Sequence, residues 1–333
     1  MSEINLFQLA EGKARELQHK NSGLEKSLQN LIENNLQTLL SIRFLASEYS
    51  TGKTHAGRID TLGLDENNCP VILEYKRSLS ENVINQGLFY LDWLMDHKAE
   101  FELLVHKKLG QVAAAAIDWS VPRVICIAAD FTRYDAHAVQ QINHQIELIR
   151  YRLFGHELLL LEQANTLASE RPRHSARQSG SRNSRNLEEG GSEVEPVNSD
   201  TETELVADIA KSKSKDKSYA EWFAEMSASK QDLLSSLEDY LLSLGDDVQR
   251  KELKLYCAFK RLKNFATIVP TKNRFLLYLH LDPVQQNNLP ANARDVTHIG
   301  HWGTGDLELP ISSAEDFEAV KPLVQLAYEG RTV

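Results

Sequence analysis

The sequence predicts a mixed α/β unit followed by a smaller α+β unit, on three observations. In the first half, short apolar runs such as VILEY (71–75), RVICIAA (123–129) and ELLLLEQ (157–163) are separated by amphipathic helical patterns, which argues for a sheet covered by helices on both faces. Residues 166–217 then become polar and carry blocks of like charge, too little apolar surface to build a core. From Tyr219 the pattern becomes two helices, several short strands and a closing helix, roughly 110 residues and an ordinary domain size. The expected boundaries are 1–165, a charged disordered linker at 166–217, and 218–333.

Taken in order, residues 3–20 are expected as a short helix. From Gly23, the residues Leu24, Leu28, Leu31, Ile32, Leu36, Leu39 and Leu40 recur at helical spacing. FLASEYST (44–51) reads as a first strand. Gly57 to Lys76 reads as a β-hairpin, with Ile59, Leu62 and Leu64 in one arm and Val71, Ile72, Leu73 and Tyr75 in the other. The turn formers DENNCP (65–70) lie between the arms. A helix over 82–97, a shorter one over 99–109, a strand over 123–130, a helix over 134–153 and a strand over 156–163 close the unit. In the second unit, helices at 219–229 and 230–244 precede strands in YCAFKRL, NFATIVPT and RFLLYLHLD. The last helix starts at Ser312 or Ser313, with Glu315 and Asp316 where the helix dipole favours acids.

The bulk properties narrow the function. A net charge of −10 argues against whole-surface attraction to nucleic acid but leaves room for a local basic groove, because screening confines each charge to about 10 Å. No apolar run approaches the ~20 residues that span a bilayer. The start MSEINLFQLAEGK lacks a basic segment and an apolar core, so no signal peptide is expected. Cys69, Cys126 and Cys257 are too scattered for a disulfide framework or a zinc motif, and a cytoplasmic protein is expected. The linker's Arg171, Arg173, Arg177, Arg182 and Arg185, and its later lysines, read as a solvated tether or, alternatively, as contacts to a nucleic-acid backbone.

The chemistry gathers on the hairpin. Of three E-x-K triplets, only Glu74-Tyr75-Lys76 follows an acid, Asp60, on an adjacent predicted strand. Glu74 and Lys76 are two residues apart and share a sheet face, and folding about Asn67 brings Asp60 level with them. Gln86 and Tyr90 share a face of the following helix. Glu25 lies in the first helix, with Glu33 as its rival for a place at the same centre.

Glu25 in EKSLQNLIENN, Asp60 in GRIDTLGLD, Glu74 and Lys76 in VILEYK, and Gln86 and Tyr90 in Q-x-x-x-Y resemble the PD-(D/E)xK nuclease superfamily, in particular its NucS-type branch, over about residues 20–165. Ile59 stands where that motif carries proline. The resemblance implies a restriction-endonuclease-like core and metal-dependent hydrolysis of nucleic acid phosphodiesters; DNA is the expected substrate, and the sequence leaves RNA open. It implies Mg²⁺ or Mn²⁺ held by Asp60, Glu74, Glu25 and the Tyr75 carbonyl. Lys76 would orient water or stabilise phosphate charge, and Gln86 would fix substrate or the lysine; Tyr90 completes the catalytic set. Nucleases of this fold often pair, so a homodimer is an open expectation.

The second unit resembles the DUF5655 type, formerly labelled a predicted transport protein, through residues 256–281, 293–313 and the closing helix. Lys260, Arg261, Lys263, Lys272, Arg274 and Arg294 mingle there with Tyr256, Phe259, Phe265, Tyr278 and Trp302. Together with Arg58 in the hairpin, the basic residues and Trp302 are expected to touch nucleic acid by phosphate contact and stacking. The alternative puts the aromatics in the core and the charges on a solvated face. His298 and His301 lack a third ligand, and Gly300 and Gly303 point to a tight loop. The expected function is a metal-dependent endonuclease with a substrate- or partner-binding C-terminal domain; the other reading is a non-catalytic binding module on the same scaffold.

Overall fold

The computed structural model describes residues 4–17, 25–52, 56–76, 82–155, 157–164, 217–272, 274–286 and 289–330. The expected linker lies outside these residues except for Lys217. Strands β1 (Leu6–Ala10) and β2 (Lys13–Leu17) come first and pair antiparallel, which corrects the helix expected at 3–20. Glu11 and Gly12 have positive φ (51° and 74°), so two residues turn the chain with the twist a hairpin needs.

The main unit runs α1 (Glu25–Asn34), α2 (Leu36–Leu40), β3 (Arg43–Ser50), β4 (Arg58–Leu64), β5 (Pro70–Lys76), α3 (Asn82–Asp96), α4 (Lys98–Leu109), α5 (Gln111–Ala115), β6 (Arg123–Ala128), α6 (Arg133–Gln141), β7 (Gln145–Phe154) and β8 (Leu158–Gln163). The six strands from β3 to β8 lie side by side in chain order. The β5–β6 and β6–β7 pairs are parallel and the others antiparallel, so the sheet is mixed. Leu62, Leu64, Ile72, Val124 and Cys126 pack with Val83, Leu91, Trp93 and Leu94 of α3 and with Phe101 of α4. On the other face, Val71, Leu73, Tyr75, Ile125 and Ile127 pack with Leu28 and Ile32 of α1 and with Leu36 and Leu40 of α2. The fold is therefore a mixed sheet flanked by helices.

The helix expected at 134–153 ends at Gln141, and QIELIRYRLF forms β7. This strand is central. Ile146 and Leu148 join one core and Ile149 and Tyr151 the other, so its apolar residues show no period-2 alternation to read.

The second half runs α7 (Tyr219–Glu225), α8 (Ala228–Ser243), β9 (Gln249–Glu252), β10 (Cys257–Lys260), β11 (Asn264–Pro270), β12 (Phe275–Leu279), β13 (Arg294–Asp295), β14 (Leu307–Ile311) and α9 (Ala314–Glu329). Its antiparallel sheet has the order β13-β14-β12-β11-β10-β9. One face packs on the helices through Leu234, Leu237, Phe259, Phe265, Leu277 and Val324. Ser313 caps α9, accepting from the Asp316 N–H while the Asp316 carboxylate accepts from the Ser313 N–H.

The described parts of both halves belong to one compact unit. Cys69 and Val121 of the first half pack with Leu253, Tyr256, Ala258, Val269 and Val296 of the second. Beside them lies a buried charge network. Arg123 donates to Asp65 at 2.8 Å and forks onto Glu147 at 2.7 and 3.0 Å. Lys260 reaches Glu147 at 2.9 Å, and Lys251 reaches Asp65 at 3.3 Å.

Candidate active site

The antiparallel β4–β5 ladder pairs Leu64 with Pro70, Gly63 with Val71, Leu62 with Ile72 and Thr61 with Leu73. The same register would next oppose Asp60 and Glu74, and there the ladder stops. Side chains take over the bonding: the Asp60 N–H donates to Glu74 Oε1 at 3.2 Å, and the Tyr75 N–H donates to Asp60 Oδ2 at 3.0 Å. Each carboxylate thus caps the backbone of the opposite arm, which fixes the two acids side by side.

The hairpin reaches this register because its turn is built for it. Asp65 Oδ1 accepts from the N–H groups of Asn67 and Cys69, and Asn68 takes a left-handed φ of 60° that asparagine tolerates.

Glu74 is fully buried, and its Oε2 has no hydrogen-bond partner. Burial and then the neighbouring Asp60 charge push its carboxyl up to about 9. Asp60 is also raised, first by burial, against the pull of the Tyr75 N–H and Lys76. Two adjacent acids, one with an unspent buried oxygen, form a hard donor set that a divalent cation would satisfy. Among the described residues no group of three or more His, Cys, Asp or Glu side chains is gathered tightly enough to hold a metal. Two carboxylates alone would leave most of a divalent ion's shell to water and backbone oxygens, a donor set that Mg²⁺ tolerates.

Other expected residues take different parts. Lys76 is held by Glu25 at 3.5 Å and favours the charged forms of both Asp60 and Glu74. Glu25 thus stands beside the lysine, while Glu33 accepts from Thr61 at 2.6 Å and Gln29 at 3.0 Å. The Tyr90 hydroxyl accepts from the Arg58 N–H at 3.2 Å and from Gln86 at 3.4 Å. A Cβ on Gly57 would come within 2.7 Å of the Tyr90 ring, so that glycine lets the chain enter β4 across the ring. Tyr90 and Gln86 accordingly hold the start of the aspartate's strand. Gln29 does similar work without a motif to announce it: its buried amide donates to the Asp60 carbonyl at 2.8 Å and accepts from Lys26 at 3.0 Å. Its only sequence signal is a polar residue beside Leu28 on a helix that must bury one face.

The C-terminal basic residues take different parts. Lys260 is a correction: it is 2% exposed and spent on Glu147, so it is no phosphate contact here. Tyr256, Phe259, Phe265 and Tyr278 are buried, Phe259 and Phe265 in the core, which matches the alternative reading of the aromatics. Arg261 pairs with Asp247 and stacks on Tyr328, Arg294 pairs with Glu308, and Lys263 donates to the Thr38 carbonyl at 3.1 Å. Lys272, Arg274 and Trp302 are exposed. Arg58, also exposed, lies next to the first-half site and 3.6 Å from Glu48. His301 stacks on Tyr278 and bonds the Ile299 carbonyl.

Comparison with known proteins adds three findings. Residues 220–330 match DUF5655, a domain of unknown function. A Haemophilus influenzae protein, described only as uncharacterized, is 29% identical over 331 residues, covering 97% of this chain and 99% of that one. Among solved structures, a repair endonuclease from Pyrococcus abyssi is similar over 39% of this chain and 48% of its own, at 19% identity and a TM-score of 0.26. An EndoMS complex with double-stranded DNA is similar over 41% and 47%, at 20% identity and a TM-score of 0.23. The chain therefore spans about half the length of those two endonucleases. No helix among the described residues is long and apolar enough to cross a membrane.

Proposed function

We propose that this protein hydrolyses phosphodiester bonds in nucleic acid, DNA in preference to RNA, at a divalent-metal site made by Asp60 and Glu74. The observation that carries this reading is the end of the β4–β5 ladder, where half-buried Asp60 lies beside fully buried Glu74 and Glu74 keeps an unpaired oxygen. A bound Mg²⁺ or Mn²⁺ would supply Lewis acidity toward a phosphate oxygen and make water more acidic. Asp60 and Glu74 would hold it, with the Tyr75 carbonyl as a further oxygen donor. Glu74, whose carboxyl is pushed up to about 9 by burial, would have to give up its proton to hold the ion. Lys76, which favours the charged form of both acids, would stabilise charge developing on phosphate. Glu25 holds the Lys76 ammonium, while Gln29, Gln86 and Tyr90 keep the aspartate strand in place. Arg58 is the exposed cation next to the site for a neighbouring phosphate.

A binding module without catalysis is favoured by one observation, that two carboxylates gather where three would make a fuller metal cage. One experiment separates the two. Purified full-length protein is incubated with plasmid, single-stranded and branched DNA, and with RNA, in Mg²⁺ and in Mn²⁺. Cleavage lost in Asp60→Ala and Lys76→Ala supports the enzyme. Retention of nucleic acid without cleavage in either metal would leave only the module.

A further inference from the structure

We infer that the C-terminal domain serves as a clamp that sets the register of the β4–β5 hairpin, with Lys251 and Lys260 as its positioning residues. The clamp's effect on metal rests on the proposed site; its geometry does not. Three consecutive turn residues are each held by the C-terminal domain. Asp65 Oδ2 accepts from Lys251 at 3.3 Å, Glu66 Oε1 from the Asn264 N–H at 3.1 Å, and Asn67 Oδ1 from Tyr256 at 3.1 Å and from the Asn264 amide at 2.9 Å.

The charges are complementary. The sheet side offers Asp65, Glu66 and Glu147 against Arg123 and Arg43, the latter bonded to the Asp65 carbonyl and to Asn68, a formal surplus of one negative charge. The C-terminal domain brings two ammonium groups, Lys251 and Lys260, both buried. Neither lysine could stay buried without these carboxylates, and the carboxylates would be short of cations without the lysines. Glu66 Oε2, Asn67 Nδ2 and Asn264 Oδ1 are buried without hydrogen-bond partners, so the contact is held by ion pairs together with an incomplete set of hydrogen bonds.

The held turn is the far end of the hairpin that carries the candidate site. Asp65 is five residues along the chain from Asp60, about 17 Å of extended strand, and the intervening ladder is unbroken from Thr61–Leu73 to Leu64–Pro70. A one-residue slip at the turn would send every side chain of the arm to the opposite face, Asp60 among them. Fixing Asp65, Glu66 and Asn67 therefore fixes where Asp60 meets Glu74.

The test uses full-length protein and two readouts. Hydrogen exchange follows the Asp60 and Tyr75 amides, both of which donate to site carboxylates. Calorimetry follows Mn²⁺ binding. Lys251→Met is expected to speed exchange at both amides at least tenfold and to weaken Mn²⁺ binding about tenfold. Lys251→Arg is expected to restore both, and Lys321→Met on α9 to change neither. Lys260→Met should act like Lys251→Met; if it does not fold, the Lys251 pair decides alone. Faster exchange at Asn67 and Asn264 with unchanged exchange at Asp60 and Tyr75 would overturn the clamp, because the interface would then open without reaching the site. If the unmodified protein binds no Mn²⁺, the metal reading fails, and exchange still decides the clamp.

Discussion

Glu74 on β5 and Glu147 on β7 are buried carboxylates in one sheet, and their protons behave in opposite ways. Glu74 is pushed up to about 9 by burial and by Asp60. Glu147 is just as deep, yet Arg123 and Lys260 outweigh its burial and hold it well below the ordinary carboxylate range. The two sites differ in whether the protein supplies its own cations. At the turn end it does for Asp65 and Glu147, on which Arg123, Lys251 and Lys260 are spent, while Glu66 beside them is raised by burial and by Asp65. At the open end the nearest cation, Lys76, is shared with Glu25 and does not cancel the cost. On the proposed reading, Glu74 is the acid that takes a cation from outside, whereas the fully paired Glu147 belongs to a structural joint.

The sharpest way to break this contrast is to neutralise Asp60. Asp60→Asn is expected to lower cleavage by roughly a thousandfold or more, because a neutral amide is a poor ligand for a hard ion. The check is initial rates on a DNA substrate in Mn²⁺, with a thermal melt to show the fold is kept. The same loss in the melt as in the rate would make Asp60 a structural residue like Glu147.

Removing a cation at the joint should act on stability first. Lys260→Met leaves Glu147 with one partner and is expected to cost about 3–5 kcal/mol, read as a lowered midpoint in urea unfolding. Lys272→Met, on an exposed side chain of the same domain, is expected to stay within about 0.5 kcal/mol.

Protons sharpen the contrast further. Glu74's folded value lies above its unfolded one, so the metal-free fold binds an extra proton between about pH 4.5 and 9 and loses stability as pH rises across that window. A metal must displace that proton, so Mn²⁺ affinity is expected to rise up to about tenfold per pH unit toward pH 9. Calorimetry in buffers of different ionisation enthalpy should report close to one proton released per ion. For Asp65 and Glu147 the sign is reversed: their folded values are lowered, and the stability they provide is lost as pH falls below about 4.5. An acid melt monitored at Tyr256 should show the joint loosening there.

The smallest effect is expected at the strand entry. Tyr90→Phe removes the hydroxyl that accepts from the Arg58 N–H and should cost about 1 kcal/mol, with a modest fall in rate. No change in hydrogen exchange at Arg58 would show that the hydroxyl does not hold the strand.

Much of this was legible in the chain. The hairpin could be placed because DENNCP offers turn chemistry between two apolar arms, and its register follows from the centre at Asn67. Asp60, Glu74 and Lys76 stood out because charged residues in otherwise buried strands call for a reason. The same logic applied to Arg123, which opens RVICIAA, and to Glu147, inside QIELIRYRLF, but they are 24 residues apart and the second cation on Glu147, Lys260, lies more than a hundred residues further on. The helix assigned to 134–153 failed where a strand buried on both faces loses its period, and that assignment hid Glu147.

Local pattern by itself determined the helices at 25–40, 82–109 and 314–329, the central hairpin and the pairing of two acids across it, since each depends on residues within a few turns or one tight loop. Tertiary structure alone decided which charges are available. Lys260 and Arg274 look alike in the chain, yet one is sealed against Glu147 and the other stands in solvent. The physical reason is that a charge's role is set by the dielectric and the counter-charges around it, and these come from segments brought together only when the two halves pack.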